Sequence, residues 1–307
     1  MSVTEPVRRI NVGDIAQMHA DGVLIPMLTA YDYPTARLLD EAGIPMLLVG
    51  DSLGQVMLGY ETTVRVSMQE MLHHTKAVVR GTNRALVVAD MPFLTYGVSV
   101  EKSVENAGVF LREAGCQAVK VEGGVRSART IEAMTRAGIA VMGHIGLTPQ
   151  SIHQIGRVRV QGKTREAARQ LIADALSVQE AGAFSIVLEL VPEQLAAALT
   201  QRLSIPTIGI GAGPGCSGQI QVVNDVLGTM PGWIPRHARK YADLGAVVLD
   251  AAGRYRADVE AGTFPGPAET VRMDDDVLAS VLGRTLLDRA DAETAILAES
   301  LPLDRDL

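Results

Sequence analysis

The chain has 307 residues, 47% of them hydrophobic, and its formal net charge at pH 7 is −7. This size and apolar content allow one large core, and the acidic balance argues against a nucleic-acid partner, which would need a basic surface. Aromatic residues make up only 4% of the chain, which also argues against a surface on which bases stack.

The cysteines and the apolar runs indicate the compartment. The two cysteines, Cys116 and Cys216, are too few for a disulfide framework in a chain of this length and are compatible with a reducing cytoplasm. No apolar run approaches the roughly 20 residues that a membrane-spanning helix needs. We therefore expect a cytoplasmic protein that has neither a membrane nor a nucleic acid as its partner.

One unit recurs along the chain: a helical stretch, a glycine, and then a short apolar run that ends in a polar residue. Glycine accepts the left-handed conformation that ends a helix. A short, non-alternating run of Val, Ile and Leu is typical of a parallel strand that is covered on both faces. The pattern predicts strands near residues 25–30, 45–50, 85–90, 118–122, 140–144, 185–190, 207–210 and 219–224.

Helices between these runs would supply the crossovers that parallel strands require. Ser67 with Glu70 three residues later forms a capping-box pattern at one helix start, and Ser99 and Thr164 are candidate caps of two others. Eight such units predict a single-domain α/β protein, a closed (β/α)8 TIM barrel, over residues 1–262. Residues 263–307 are then a C-terminal extension, with a helical stretch at 273–299 that serves as a surface element or an oligomer contact.

An open doubly wound sheet is the alternative fold. It would place a dinucleotide-binding glycine fingerprint after the first strand. Residues 29–34 read TAYDYP and contain no glycine. The sequence therefore favours the barrel.

Five of the predicted strands end in an ionisable residue. In a barrel, the C-terminal ends of all strands face one rim, where the loops build the active site. One acidic residue after a strand is more often a turn residue or a helix cap, but five at separate strand ends predict a shared pocket. The five are Asp51, Asp90, Glu122, His144 and Glu189.

Several carboxylates at one rim of a barrel repel each other unless a cation binds between them. Oxygen ligands without paired Cys or clustered His favour Mg²⁺ or Mn²⁺ over zinc. We expect Asp51 and Asp90 to bind the metal directly and Glu122 to reach it through water. Lys120 shares a strand face with Glu122 and can pair with a substrate carboxylate or enolate, which leaves Glu189 as a general base. This set suits proton removal next to a carbonyl group.

Several segments resemble, in their order, the signature segments of the ketopantoate hydroxymethyltransferase family. The resemblance covers roughly residues 25–250, and its most specific segment reads GHIGLTPQS at residues 143–151. The other matching segments include 27–36 (MLTAYDYPTA), 49–54 (VGDSLG), 89–93 (ADMPF), 119–124 (VKVEGG) and 209–213 (GIGAG).

The resemblance implies a transferase of pantothenate biosynthesis with one Mg²⁺ per subunit. The enzyme would move a one-carbon unit from 5,10-methylenetetrahydrofolate to 3-methyl-2-oxobutanoate through an enolate and release 2-dehydropantoate. It also implies a homo-oligomer, commonly a decamer. By the same resemblance, Glu189 takes the C3 proton and the metal is held by Asp51, Asp90 and Glu122. The implied substrate-binding residues are Asp51, Ser52, Asp90, Lys120 and His144.

Two other functions are alternatives. A Mg²⁺-dependent 2-oxo-acid carbon–carbon lyase or mutase on the same barrel would use another loop nucleophile or a catalytic cysteine, and no such motif is evident. A non-catalytic barrel protein would have lost its strand-end carboxylates. A basic cluster formed by Arg236, His237, Arg239 and Lys240 is interpreted as the solvated start of the last barrel helix, and binding of the folate glutamate tail there is the less favoured interpretation.

Overall fold

The structure is a computed structural model that describes residues 8–230 and 234–282. The chain forms two compact units, of which the first ends at Gly245 and the second begins at Ala246. The division predicted from the sequence, into a barrel domain over residues 1–262 and an extension over 263–307, stays a prediction.

The first unit is a closed barrel of eight parallel strands. Each strand pairs with the next in chain order, and the last pairs with the first. This topology confirms the predicted (β/α)8 barrel. The strands are β1 (Ile25–Thr29), β2 (Met46–Val49), β3 (Leu86–Asp90), β4 (Ala118–Glu122), β5 (Ala140–Gly146), β6 (Ser185–Glu189), β7 (Thr207–Ile210) and β8 (Gly218–Gln221).

Helices surround the barrel at most of the connections. The connection from β7 to β8 is an exception, since it contains only a loop of seven residues, 211–217. The helices of this unit are α1 (Val12–Ala20), α2 (Tyr33–Glu41), α3 (Leu53–Val56), α4 (Met68–Gly81), α5 (Val100–Val109), α6 (Val125–Arg136), α7 (Ile152–Ile155), α8 (Arg165–Glu180), α9 (Glu193–Arg202) and α10 (Val223–Leu227).

The helix starts follow the predicted capping residues. Ser67 and Glu70 form the capping box of α4, in which each side chain accepts a hydrogen bond from the backbone N–H of the other. Ser99 accepts from the backbone N–H of Lys102 at 3.0 Å at the start of α5. Thr164 caps α8 in the same way. These caps satisfy N–H groups that have no partner within the first turn of a helix.

Apolar side chains form two layers because successive residues of a strand point to opposite faces of the sheet. One layer fills the barrel interior, where Leu86 and Val88 of β3 pack with Met142 of β5. The other lies between the sheet and the helices, where Val87 and Val121 pack with residues of α4, α6 and α8. The parity of each strand therefore fixes which of its side chains face inward.

The second unit contains two helices, α11 (Leu244–Glu260), whose first two residues belong to the first unit, and α12 (Asp275–Leu282). Neither helix has a buried residue. The helix predicted at 273–299 is present as α12 up to residue 282, and residues 283–299 lie outside the described part of the chain. Within residues 8–230 and 234–282, no helix is long and apolar enough to cross a bilayer.

One sequence interpretation is wrong. Arg236 and its basic neighbours were expected to begin the last barrel helix, but residues 234–243 contain no helix. The barrel's last helix, α10, starts directly after β8 instead. The prediction failed because Pro235 and the exposed polar residues around it provide no apolar stripe that would hold a helix against the sheet.

Candidate active site

The predicted strand-end side chains converge at the C-terminal rim of the barrel. On β3, Asp90 continues the inward face of Leu86 and Val88, and on β4 the same parity relates Glu122 to Ala118. Asp51, Asp90, Lys120, Glu122 and His144 are each no more than 5% exposed. The side chain of Glu189 is 17% exposed and is therefore the most accessible of the six.

Short contacts join these groups into one continuous network. The Asp51 backbone N–H donates a hydrogen bond of 2.9 Å to Oδ2 of Asp90. The Lys120 Nζ lies 3.0 Å from Oδ1 of Asp90 and 3.2 Å from Nδ1 of His144. His144 lies between two carboxylates, with Nδ1 3.3 Å from Glu122 Oε1 and Nε2 3.2 Å from Glu189 Oε2. The structure thus brings the five strand-end residues and Lys120 together in one network.

Ser52 lies at the start of α3, directly after Asp51. Its hydroxyl group is 2.8 Å from the hydroxyl group of Tyr31. A Cβ atom added at Gly50 would lie 2.9 Å from the Ser52 Oγ and 3.5 Å from Oδ2 of Asp90, so these two side chains share the same side of the turn after β2. Ser52 therefore lies beside the cluster.

Burial and mutual repulsion shift the acidic groups at this rim. Burial, and then the charges of Asp90 and Glu122, raise the pKa of Asp51 to about 8. Burial also raises the pKa of Asp90, and the adjacent Lys120 reduces this shift without cancelling it. Carboxyl groups in this state are stabilised in their ionised form by an added cation.

At Glu122 and His144, neighbouring charges outweigh the effect of burial on the pKa. Burial alone would raise the pKa of Glu122, but the hydrogen bond and charge of His144 and the charge of Lys120 lower it. Burial and Lys120 disfavour a charged imidazole, yet the carboxylates of Glu122 and Glu189 outweigh them and raise the pKa of His144 to about 9. A charged His144 therefore holds the carboxylate of Glu122 in the ionised form.

Gln150 is a member of the site that the sequence analysis did not single out. Its side-chain amide donates to Asp51 Oδ2 at 2.9 Å, and its backbone N–H donates to Glu122 Oε2 at 3.1 Å. Its side-chain carbonyl accepts a hydrogen bond of 2.7 Å from the hydroxyl group of Tyr96. Residue type and spacing gave no signal for this role, because a neutral amide in a loop has no distinctive pattern.

Gly146 allows the chain to pass close to Glu189. Its φ angle is +93°, and a Cβ atom there would lie 2.2 Å from the carbonyl oxygen of Glu189. Only glycine fits this combination of a positive φ and a close backbone approach. The turn after β5 can therefore pack directly against the end of β6.

Sequence comparison identifies the family of this site. A sequence model of the family described as ketopantoate hydroxymethyltransferase matches residues 9–267. The chain belongs to this family. The 3-methyl-2-oxobutanoate hydroxymethyltransferase of Chloroflexus aurantiacus strain J-10-fl is 59% identical over 90% of this chain and 97% of the relative. The protein of the same name from Dehalococcoides mccartyi strain BAV1 is 53% identical over 88% of this chain and 97% of the relative.

Solved structures with low sequence identity share the fold of this hydroxymethyltransferase family member. The phosphoenolpyruvate phosphomutase of Streptomyces platensis subsp. rosaceus has a TM-score of 0.55 and 15% identity, over 94% of this chain and 99% of that one. A phosphonopyruvate hydrolase solved with oxalate and Mg²⁺ has a TM-score of 0.55 and 14% identity. The match covers 92% of this chain and 99% of the hydrolase. Identity this low shows a common barrel and carries no information about the reaction.

The buried acids of this family member are suited to a hard cation. Oδ1 of Asp90 and Oε1 of Glu122 are buried, and the contacts given for them among the described residues are those with Lys120 at 3.0 Å and His144 at 3.3 Å. Within the same residues, no three acidic, His or Cys side chains form a ready-made metal cage. Mg²⁺ commonly uses one or two carboxylates and completes its coordination with water and substrate oxygens. The residues present fit that mode of binding.

Proposed function

We propose that this enzyme transfers a hydroxymethyl group from 5,10-methylenetetrahydrofolate to 3-methyl-2-oxobutanoate and releases 2-dehydropantoate. The observation that carries the proposal is the buried network that runs from Asp51 and Asp90, through Lys120 and His144, to the more exposed Glu189. The names of relatives up to 59% identical over nearly their whole length support the same substrate and the same role in pantothenate biosynthesis.

In this proposal Asp51 and Asp90 hold one Mg²⁺ per subunit and Glu122 contacts it through water. When bound, Mg²⁺ acts as a Lewis acid that stabilises negative charge on the keto oxygen of the substrate. The raised pKa values of Asp51 and Asp90 support this assignment, because both carboxyl groups need a cation to remain ionised.

The 2-oxo acid binds over these residues. Lys120 contributes a buried ammonium group for the substrate carboxylate, and Ser52 contributes a hydroxyl group at the start of α3. His144 lines the same pocket and holds Glu189 through the contact of 3.2 Å between Nε2 and Oε2. These contacts orient the substrate so that its C3 hydrogen faces Glu189.

Glu189 then removes the C3 proton as a general base. A C–H bond next to a ketone is weakly acidic, so a carboxylate can take the proton only where the developing enolate charge is stabilised. Among the five strand-end residues and Lys120, only Glu189 is appreciably exposed, which gives it access to a bound substrate. The enolate carbon bonds to the methylene carbon of the folate, the bonds from that carbon to the folate nitrogens break, and water supplies the hydroxyl group of 2-dehydropantoate as tetrahydrofolate leaves. Holding both reactants in one pocket lowers the entropic barrier.

Assembly and location complete the proposal. We propose a cytoplasmic homo-oligomer, a decamer if it follows the family resemblance. Exposed apolar side chains support an assembly, since Val247 and Leu249 of α11 are 60% and 72% exposed. The free cysteines Cys116 and Cys216 are both buried, which is compatible with a reducing compartment.

A reaction assay tests this function. The purified protein is incubated with 3-methyl-2-oxobutanoate and 5,10-methylenetetrahydrofolate, with Mg²⁺ or with EDTA, and the products are separated by mass. We expect 2-dehydropantoate only when Mg²⁺ and the folate are both present. Cleavage of the 2-oxo acid without the folate would favour the lyase alternative, and no turnover of metal-loaded, folded protein would overturn the enzymatic proposal.

A further inference from the structure

A basic segment (residues 157–165) stands out from an otherwise acidic chain. It contains four cationic residues and no acidic one, whereas the whole chain has a formal net charge of −7. All four cations are exposed, and none forms an ion pair with a residue that the structure describes. The four residues are Arg157, Arg159, Lys163 and Arg165. Exposed cations without a protein partner create a local positive potential that attracts anions.

The basic segment lies beside the proposed base. It connects α7 to α8, and the backbone N–H of Gln161 donates a hydrogen bond of 2.8 Å to the carbonyl oxygen of Leu190, the residue after Glu189. Gly162 sits against α8 and α9, since a Cβ atom there would lie 2.6 Å from Leu171 and 2.9 Å from Leu195. The segment is therefore anchored at the end of β6.

A cavity of about 480 Å³ lies between the two helices that flank the basic segment. Its wall includes Gln154 of α7 and Gln170 of α8, on either side of the segment, and Gly146, which pairs with Glu189 across β5 and β6. The volume is within the usual range for small-molecule sites. The cavity therefore borders the end of β5, next to the strand that carries Glu189, and both helices that flank the basic segment, although no residue of the segment itself forms its wall.

Apolar and cationic side chains alternate at the start of the basic segment. Val158 is 68% exposed and Val160 is 36% exposed, next to Arg157 and Arg159. Exposed apolar groups interleaved with cations suit a ligand that has an aromatic body and an anionic tail. A folate has this chemistry, because its aminobenzoyl ring is followed by glutamates joined through γ-amide bonds, and each added glutamate contributes one more carboxylate.

We propose that the basic segment binds the γ-linked polyglutamate tail of the folate donor, which makes polyglutamylated folate the preferred one-carbon substrate. The inference rests on the proposed transferase function. The basic cluster at residues 236–240 is less suitable, because Lys240 is paired with Asp243 at 2.9 Å. The cavity beside that cluster also extends to Leu24 and Gly218, at the N-terminal ends of β1 and β8 and away from the catalytic rim.

The test compares two donors, 5,10-methylenetetrahydrofolate with one glutamate and with five. The wild-type enzyme should have a lower KM for the pentaglutamate, and the difference should shrink as the salt concentration rises. In the double variant Arg157→Ala, Arg159→Ala, the KM for the pentaglutamate should rise about fivefold, and the KM for the monoglutamate should change much less. The charge-reversed pair Arg157→Glu, Arg159→Glu should raise the pentaglutamate KM further.

The matched control removes two exposed arginines elsewhere, in the variant Arg236→Ala, Arg239→Ala, which should keep the wild-type preference. Equal KM values for the two donors in the wild type would overturn the proposal, and so would a loss of preference in the control alone. If neither donor is turned over, the transferase function fails instead. Calorimetric titration with tetrahydrofolate pentaglutamate then still tests the segment, since unchanged affinity in the Arg157→Ala, Arg159→Ala variant would contradict it.

Discussion

The side-chain amide of Gln150 donates a hydrogen bond of 2.9 Å to Oδ2 of Asp51, although 99 residues separate them in the chain. The same amide group donates to the carbonyl oxygen of Met91, the residue after Asp90. Gln150 therefore connects the ends of β2 and β3 and fixes the direction of one carboxylate that we assign to the metal. Outer partners of this kind orient metal ligands and tune their affinity.

Replacing Gln150 by alanine should weaken metal binding by about tenfold or more, because Asp51 then loses its orienting donor. Mn²⁺ replaces Mg²⁺ as the probe, and the electron paramagnetic resonance signal of free Mn²⁺ reports its affinity in the absence of substrate. The control is Gln55→Ala, which removes an exposed amide that donates a hydrogen bond to the carbonyl oxygen of Glu61. Equal Mn²⁺ affinities in wild type and Gln150→Ala would contradict the role of Gln150.

The raised pKa of Asp51 predicts a pH dependence of the metal-free protein. Its pKa is about 8 in the folded state and 3.8 ordinarily, so between these values the folded chain retains a proton that the unfolded chain releases. Stability due to this group is therefore present at low pH and is lost as the pH rises towards 8. The unfolding free energy of wild type, measured by urea denaturation in EDTA, should fall relative to Asp51→Asn between pH 5.5 and pH 8. Parallel curves for the two proteins would disprove the shift.

Lys120 should contribute to stability as well as to binding. Its ammonium group is 5% exposed and lies 3.0 Å from the equally buried Asp90, so Lys120→Met leaves that carboxylate without its cation. Loss of one partner of a buried pair costs about 3 kcal/mol, which denaturation in EDTA would measure. The control Lys102→Met removes an exposed pair with Glu105 and should cost less than about 1 kcal/mol. Equal losses in the two variants would show that the buried pair has no special role.

Glu189→Gln should abolish proton abstraction and leave metal binding intact. The amide has almost the same shape as the carboxylate but cannot accept a proton, so turnover should fall by about 10² or more. Mn²⁺ affinity should be unchanged, because Glu189 contacts His144 rather than the proposed metal ligands. Glu193→Gln, in the first turn of α9, is the matched control and should retain activity. Full turnover by Glu189→Gln would remove Glu189 from the mechanism.

The barrel and the convergence of its acids could be predicted because both follow from local rules. Gly43 and Gly138 mark helix ends before apolar runs, and the parity of β3 and β4 then turns Asp90 and Glu122 inward. Gln150 could not be predicted, because its role depends on where a loop after β5 returns across the barrel mouth. Tyr96 was missed for the same reason: its hydroxyl group accepts a hydrogen bond from the Glu122 backbone N–H, a contact that only the folded chain creates.

The most direct test of the central claim is proton NMR of 3-methyl-2-oxobutanoate in D2O with the purified enzyme and Mg²⁺, without the folate. If Glu189 removes the C3 proton to form an enolate, the C3 proton signal should disappear at a rate that depends on enzyme and Mg²⁺, and EDTA should stop the exchange. Retention of the C3 proton in the presence of folded, metal-loaded enzyme would contradict the account.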